Sequence, residues 1–416
     1  MRKLNQIISI CILLLCFSSA VNAIAAPNIV LIVADYMGYS DIEPYGAKDI
    51  RTPSLNAIAQ QGIQFNSHYS SAPKCIPARA SLMSGLYPRK AFKKGRGFVA
   101  ERNTVLKGLK DANYRTALIG KWHLGLSEGR HPNDHGFDYF LGYNSWALSR
   151  HSHQTSDGKN GLYENKVPVE RAAYLSDLFS EAAQEFIAAK SERPFFLYLS
   201  YSAGLPPYQG PDLARENWDS GWDATEAKRS EYVAMIERMD QGIAKVMQQL
   251  ERQGLSDNTL LIFTYDHGGR HFANSGPLFH GFDTLWEGGI RVPLLVRWPN
   301  KLAAGKRINE PSIIMDVSAS ILDAAGQNKL IESTDGKSLL LKDKESFSDR
   351  AIFWKNKSMK AARKGRWKYL QDGYTQFLFD VSADPGERNN LFYSRQSKLK
   401  ELSELWDAWE HSQLSD

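Results

Sequence analysis

A chain of 416 residues is long enough to bury a large core without disulfides, and it suggests one large domain plus a smaller one, or two domains. Its formal net charge is +5, and Arg2 and Lys3 at the extreme N-terminus account for two of those charges. That surplus is too small for a nucleic-acid binder, so no nucleic-acid partner is expected; it suits an anionic substrate without specifying one.

The first residues read as an export leader. Arg2 and Lys3 form a basic start, Ile7 to Phe17 an apolar stretch, and Val21-Asn22-Ala23 or Ala23-Ile24-Ala25 a small-residue cleavage site. The leader therefore covers residues 1–23, its end falling between 23 and 26. The apolar stretch is shorter than the about 20 residues needed to span a bilayer. A soluble, periplasmic or secreted product is expected, with the export machinery as a transient partner. Cys11 and Cys16 leave with the leader, and Cys75 is then the one remaining cysteine. An exported chain with an unpaired thiol needs an explanation. A free cysteine is usually a buried small hydrophobe, but Lys74, Arg79 and the prolines Pro73 and Pro77 surround this one, which points to chemistry.

The elements follow in chain order. Asn28 to Ala34 is a continuous apolar run, the mark of a strand buried on both faces, and Ser54 to Gln61 reads as a helix. Cys75-Ile76-Pro77-Ala78-Arg79 stands just ahead of the helix-like Ala80 to Met83. Thr104 to Leu109 is helical, Thr116 to Ile119 a strand, and the Ser-, His- and Asn-rich stretch from Tyr143 to Val169 a long loop of the kind that often carries function. A helix over Ala172 to Ala189, a strand over Phe195 to Tyr201, a helix over Ser230 to Gln253 and a strand over Thr259 to Tyr265 complete the alternation. The fold class is α/β, a large predominantly parallel sheet covered by helices on both faces, spanning residues 27–340. Over 341–416, short strands at Ala351 to Trp354, Trp367 to Leu370 and Gln376 to Asp380 and a helix from Lys398 to Glu410 form a small α+β subdomain.

In such sheets ligands gather beyond the carboxyl ends of the strands. Asp35, Gly120-Lys121-Trp122-His123 and Asp266-His267-Gly268-Gly269 stand at three of those ends. Asp35, Asp266 and His267 offer oxygen and nitrogen donors for one divalent cation. Aspartates after strands also cap helices, and Trp122 reads as core.

At this point the chain resembles the sulfatase family of the alkaline-phosphatase superfamily. The resemblance rests on five blocks in order: Pro27 to Asp35 with Gly38-Tyr39-Ser40-Asp41; the C-x-P-x-R string running on into Leu82 to Pro88; Gly120 to Gly125; Leu285 to Pro293; and Leu378-Phe379-Asp380 through Asp384-Pro385-Gly386-Glu387. It implies that a maturation enzyme converts Cys75 to Cα-formylglycine, reading Pro77 and Arg79. One hydroxyl of the hydrated aldehyde attacks sulfur, and the other then eliminates sulfate, which removes the need for water to attack a covalent ester. It further implies calcium on Asp35, Asp266, His267 and the Cys75 side chain, with Arg79 holding the formylglycine hydroxyl and Lys121 and His123 binding sulfate and orienting the gem-diol.

Three positions depart from the family pattern. Tyr36 replaces a second metal-binding aspartate, Leu205 a histidine that contacts sulfate, and Phe282 a lysine against the sulfate. His153, Arg270 and His280, and less so His151, are candidates to refill the anion pocket. The resemblance thus implies an exported sulfatase acting on a sulfated small molecule or oligosaccharide. A phosphonate or phosphate ester hydrolase of the same superfamily is a second reading, and a sulfatase-like protein of low activity that binds an anionic glycan a third.

Overall fold

The computed structural model describes residues 26–93, 95, 97–214, 220–340 and 345–413. The leader, with Cys11 and Cys16, lies outside the described residues, as does the start of the expected small subdomain at 341. Among the described residues no helix is long and apolar enough to cross a membrane.

One sheet organises most of the chain. Its strands are β1 (Asn28–Ala34), β2 (Ile63–Tyr69), β3 (Arg115–Lys121), β4 (Tyr139–Tyr143), β5 (Tyr163–Glu164), β6 (Val167–Pro168), β7 (Phe195–Ser200), β8 (Thr259–Tyr265), β9 (Arg291–Arg297), β10 (Lys306–Ile308) and β11 (Ser312–Ile313). Their order is β10-β2-β9-β8-β1-β7-β3-β4-β5-β6, with β11 also on β2. The five strands β8, β1, β7, β3 and β4 run parallel. The sheet is nevertheless mixed, since β9 is antiparallel to both β8 and β2 and β5 to β4.

Every residue of β1 is buried, which matches the unbroken apolar run. Successive side chains point to opposite faces. Ile29, Leu31 and Val33 join α2 (Cys75–Ser84), α3 (Thr104–Asp111) and α6 (Ile314–Ala324) on one side. Val30, Ile32 and Ala34 meet α1 (Pro53–Gln61), α4 (Leu175–Ala188) and α5 (Arg229–Arg252) on the other. Each fully buried Leu or Ile contributes about 1.5–3 kcal/mol of transfer free energy.

The helix α4 begins three residues later than its apolar content suggested, because Tyr174 is extended at the N-cap. The helix α6, whose residues Ile314 to Leu322 are all buried, was not among the expected elements. The 143–169 stretch is a loop interrupted by the two short strands β5 and β6.

A second, four-stranded antiparallel sheet follows: β12 (Ala351–Asn356), β13 (Met359–Lys364), β14 (Trp367–Asp372) and β15 (Thr375–Asp380). The helix α7 (Gln396–Ser412) packs Leu399, Leu402 and Trp406 on one face, against Ala362, Tyr369 and Leu378. The other face, with Ile352, Trp354, Ala361, Leu370 and Phe379, is continuous with the core of the large sheet. Buried charges reinforce this junction. Lys368 Nζ on β14 lies 3.0 Å from Glu287 Oε1 and 2.8 Å from Glu387 Oε1, all three side chains fully buried. Glu287 Oε2 also accepts from Tyr69 Oη at 2.7 Å and from Arg291 Nη1 at 3.2 Å. Two of the sequence blocks, around Glu287 and Glu387, thus meet in one ionic cluster.

Candidate active site

The parallel strands β8, β1, β7 and β3 are neighbours, so their carboxyl ends share one edge of the sheet. Asp266 and His267 follow β8, Asp35 follows β1, Ser200 ends β7 and Lys121 ends β3. The helix α2 begins at this edge with Cys75. Its N-cap, Lys74, supplies no side-chain cap and its first turn has no acidic residue, so backbone N–H groups there face the site unneutralised. Pro77 falls in that first turn, where a missing N–H costs no helical bond. At the far end Gly85, with φ +73°, donates its N–H to the Ser81 carbonyl and closes the helix.

Cys75 is buried, with Sγ 3.1 Å from His267 Nε2 and 3.8 Å from both Asp35 Oδ1 and Lys121 Nζ. His267 Nε2 lies 3.5 Å from Asp35 Oδ1 and 3.6 Å from Asp266 Oδ1. One ligand atom each from Asp35, Cys75, Asp266 and His267 falls within 4.8 Å of the others. Asp266 Oδ1 has no hydrogen-bond partner although it is buried. An unpartnered buried carboxylate oxygen is costly unless something positive meets it. The donor set therefore fits a hard divalent cation with a borderline nitrogen ligand.

The electrostatics carry the same message. Burial and the neighbouring Asp35 push the Asp266 carboxyl up. Burial alone would depress His267, yet Asp266, Cys75 and Asp35 hold it up at about 10, so the group attracts positive charge. For Asp35 burial is outweighed by Lys121, Arg79 and His267, which keep its carboxyl well below the usual range.

Arg79, one turn along α2 from Cys75, ties the strand ends together. Its Nε donates to Asp266 Oδ2 at 2.9 Å, and its Nη1 donates to the Lys121 carbonyl at 2.9 Å and to Ser200 Oγ at 2.7 Å. Lys121 Nζ donates to Asp35 Oδ2 in a fully buried pair. His123 is kept neutral, burial and then Lys121 and Arg79 pushing it down to about 2, and its Nδ1 is buried without a partner. Ser200 and Tyr198, both beside Arg79, carry no signal in the sequence beyond their place on a strand.

The three departures from the family pattern converge on the thiol. Tyr36, Ala147 and Leu205 form a buried apolar cluster with Cys75, and Phe282 and Trp222 pack against it. The Tyr36 ring stacks on Phe282 at 4.7 Å and meets His267 edge-on at 4.7 Å. Backbone contacts build this wall. The Gly204 N–H donates to the Asp35 carbonyl at 3.1 Å, and a Cβ on Gly204 would stand 2.6 Å from the Tyr36 carbonyl oxygen. A Cβ on Gly288 would meet the His280 carbonyl at 2.1 Å, so only glycine lets the 279–284 loop lie this close.

The proposed replacements for the missing donors lie in different places. Arg270 sets its guanidinium 5.7 Å from the centre of the Phe282 ring. Arg270 and His280 share with Phe282 an open cavity of about 650 Å³. His280 packs its ring on Phe279 and Trp286. His153 is buried with Nε2 2.9 Å from the Ala173 carbonyl, and His151 Nε2 lies 2.9 Å from the Gly210 carbonyl. Both histidines of the long loop thus fasten it to neighbouring backbone.

Four ligand atoms that could hold a cation stand at the carboxyl edge of a mixed α/β sheet, one of them from a helix-borne cysteine, an arrangement suited to a hydrolase of anionic esters. The chain belongs to the sulfatase family: residues 27–327 match the model of the sulfatase domain, and residues 279–411 match that of the N-sulphoglucosamine sulphohydrolase C-terminal region. It is accordingly a sulfuric ester hydrolase. It is similar to N-acetylgalactosamine-6-sulfatase of Mus musculus, 29% identical over 97% of this chain and 90% of that protein. It is also similar to the steryl-sulfatase of Mus musculus, 27% identical over 92% of this chain and 81% of that one. Among solved structures, Ps i-CgsB is 30% identical with a TM-score of 0.81 and 92% of each chain covered. Its complex with k-i-k-neocarrahexaose superposes with a TM-score of 0.80 at 29% identity, again over 92% of each chain.

Proposed function

We propose that this protein is an exported sulfatase that hydrolyses sulfate esters of carbohydrates, using a formylglycine made from Cys75. The observation that carries the reading is the position of Cys75. It stands at the first residue of a helix, 3.1 Å from His267 and within the group Asp35, Asp266 and His267. The carbohydrate assignment draws on relatives whose names specify a sulfated sugar or a carrageenan-type oligosaccharide.

In this reading Asp35, Asp266, His267 and the residue at 75 hold one calcium ion, which when bound supplies positive charge to a sulfate oxygen and acidifies the attacking hydroxyl. The chain's own residues do the rest. Arg79 fixes the spacing between the strand ends and orients residue 75. Lys121, beside both Asp35 and Cys75, offers a cation to the sulfate. His123, whose Nδ1 is buried without a protein partner, is assigned by the family resemblance to orient the second hydroxyl and relay its proton during elimination. The N–H groups opening α2 add a preorganised anion site.

Mass spectrometry of the Cys75 peptide from the native host, together with an assay panel, tests the reading. Conversion of –CH2SH to –CHO and release of sulfate from at least one sulfated oligosaccharide are expected. Intact thiol would favour an anionic-glycan binder, and preferential turnover of phosphate or phosphonate esters would favour the second superfamily activity. Removal of the cation is a separate test. Chelation should abolish turnover and lower the melting temperature, with calcium restoring both. Unchanged activity together with no divalent metal by elemental analysis would refute the site.

A further inference from the structure

The aromatic rim of the nucleophile pocket has no role in the chemistry above. Trp146 is 44% exposed, an uncommon position for the largest apolar side chain. It is not on a loose tip. Asn144 Oδ1 accepts from the Gly125 N–H at 2.7 Å, which pins this part of the loop to the segment following Lys121 and His123. Ser145 Oγ donates to the Ala147 carbonyl at 2.6 Å. The buried Arg150 then donates from Nη2 to the Leu205 carbonyl at 2.6 Å and to the Ser202 carbonyl at 2.8 Å, locking the loop to the Leu205 segment.

The neighbours of Trp146 give it direction. Its ring lies 6.1 Å from that of Trp222 at 57°. Trp222 in turn packs against the cluster of Tyr36, Cys75, Ala147 and Leu205. Trp222 is positioned from behind by Gly221, whose carbonyl accepts from the Tyr208 N–H at 2.8 Å; with φ +81°, and with a Cβ there only 2.6 Å from the Tyr208 carbonyl, this place requires glycine. An apolar cluster thus runs from Cys75 through Trp222 to the exposed indole of Trp146.

We propose that Trp146 and Trp222 form a stacking platform for the pyranose ring adjoining the scissile sulfate. A pyranose offers one face of C–H groups and a rim of hydroxyls, which suits an indole that presents a flat apolar face beside water. An aryl or alkyl chain would satisfy the apolar wall next to Cys75 but would leave the outer ring unused. The inference rests on the carbohydrate reading above and names the residues that select a sugar. Because such stacking is the same in the ground and transition states, it lowers KM without changing kcat.

Binding is measured by titration calorimetry in the Cys75→Ala background, where no turnover interferes. The probes are tetrasaccharides of κ-carrageenan, chondroitin 6-sulfate and heparin. Adding Trp146→Ala or Trp222→Ala should weaken the best probe on the order of tenfold or more, and Trp146→Phe should keep most of the affinity. In the active enzyme Trp146→Ala should raise KM for that sugar by a similar factor with kcat little changed. Trp146 is exposed, so its melting temperature serves as the control for folding. Equal affinity with and without Trp146 would overturn the platform while leaving the sulfatase intact. Binding of none of the probes, with none desulfated by the parent, would overturn the carbohydrate reading and the platform together.

Discussion

Replacing Cys75 with alanine is expected to reduce sulfate release by roughly 10⁴-fold or more, the scale on which enzymes lose activity when a covalent nucleophile is deleted. The fold should hardly notice. Cys75 sits at the first position of α2, where its side chain makes polar contacts to Asp35 and His267 rather than filling the sheet core. Loss of one small side-chain atom there changes stability by about 1 kcal/mol or less. The measurement is sulfate release by the purified variant beside a thermal melt. Turnover near that of the parent would sink the formylglycine mechanism, and it would do so without ambiguity, since an unfolded protein could not give that result.

The second large effect is structural and lies away from the chemistry. Lys368→Met should destabilise the protein by about 3–5 kcal/mol, because it leaves Glu287 and Glu387 buried without the cation that stands between them. Glu287 retains Tyr69 and Arg291, so Glu387 bears most of the cost. Burial, with Glu287 acting in the same direction against Lys368, already raises the Glu387 carboxyl from 4.5 to about 7. A carboxyl raised in the folded state favours folding below its unfolded value, and that advantage fades as pH rises through the folded one. Without Lys368 the Glu387 value climbs further. The deficit of the variant should therefore be smallest well below pH 7, where the carboxyl is protonated in both folded proteins, and grow as pH passes 7. Denaturant melts across that window check it. A loss independent of pH would mean that packing, not charge, holds the two sheets together.

The five-stranded parallel centre was legible because strands buried on both faces cannot disguise their composition. The site residues were legible because polar groups such as Asp35, Lys121 and Asp266 stand where apolar runs stop. The direction of β9 was not, since Arg291 to Arg297 looks the same whichever way it runs, and pairing is decided by a loop that folds back from β8. The residues around the thiol and on the long loop divide similarly. Tyr36, Leu205 and Phe282 were visible as substitutions, and the structure adds that they touch one another around Cys75. The role of His153 was hidden, because only the fold shows that its ring nitrogen faces the Ala173 carbonyl. Trp222 was invisible for the same reason: nothing in its neighbourhood in sequence says that it arrives beside residue 75.

The depth at which Arg79 is set imposes a timetable. Its side chain is only 1% exposed, clasped by Asp266, Ser200 and the Lys121 backbone, groups that come together only when three separate strands have taken their places. A catalyst that must grip this guanidinium to modify the neighbouring cysteine has no access to it afterwards. On the proposed reading, conversion of Cys75 belongs to the interval before the sheet closes, while the segment is still an extended peptide. On the same reading a molecule that folds first keeps its thiol, and the active fraction of a preparation is set by a race between modification and folding.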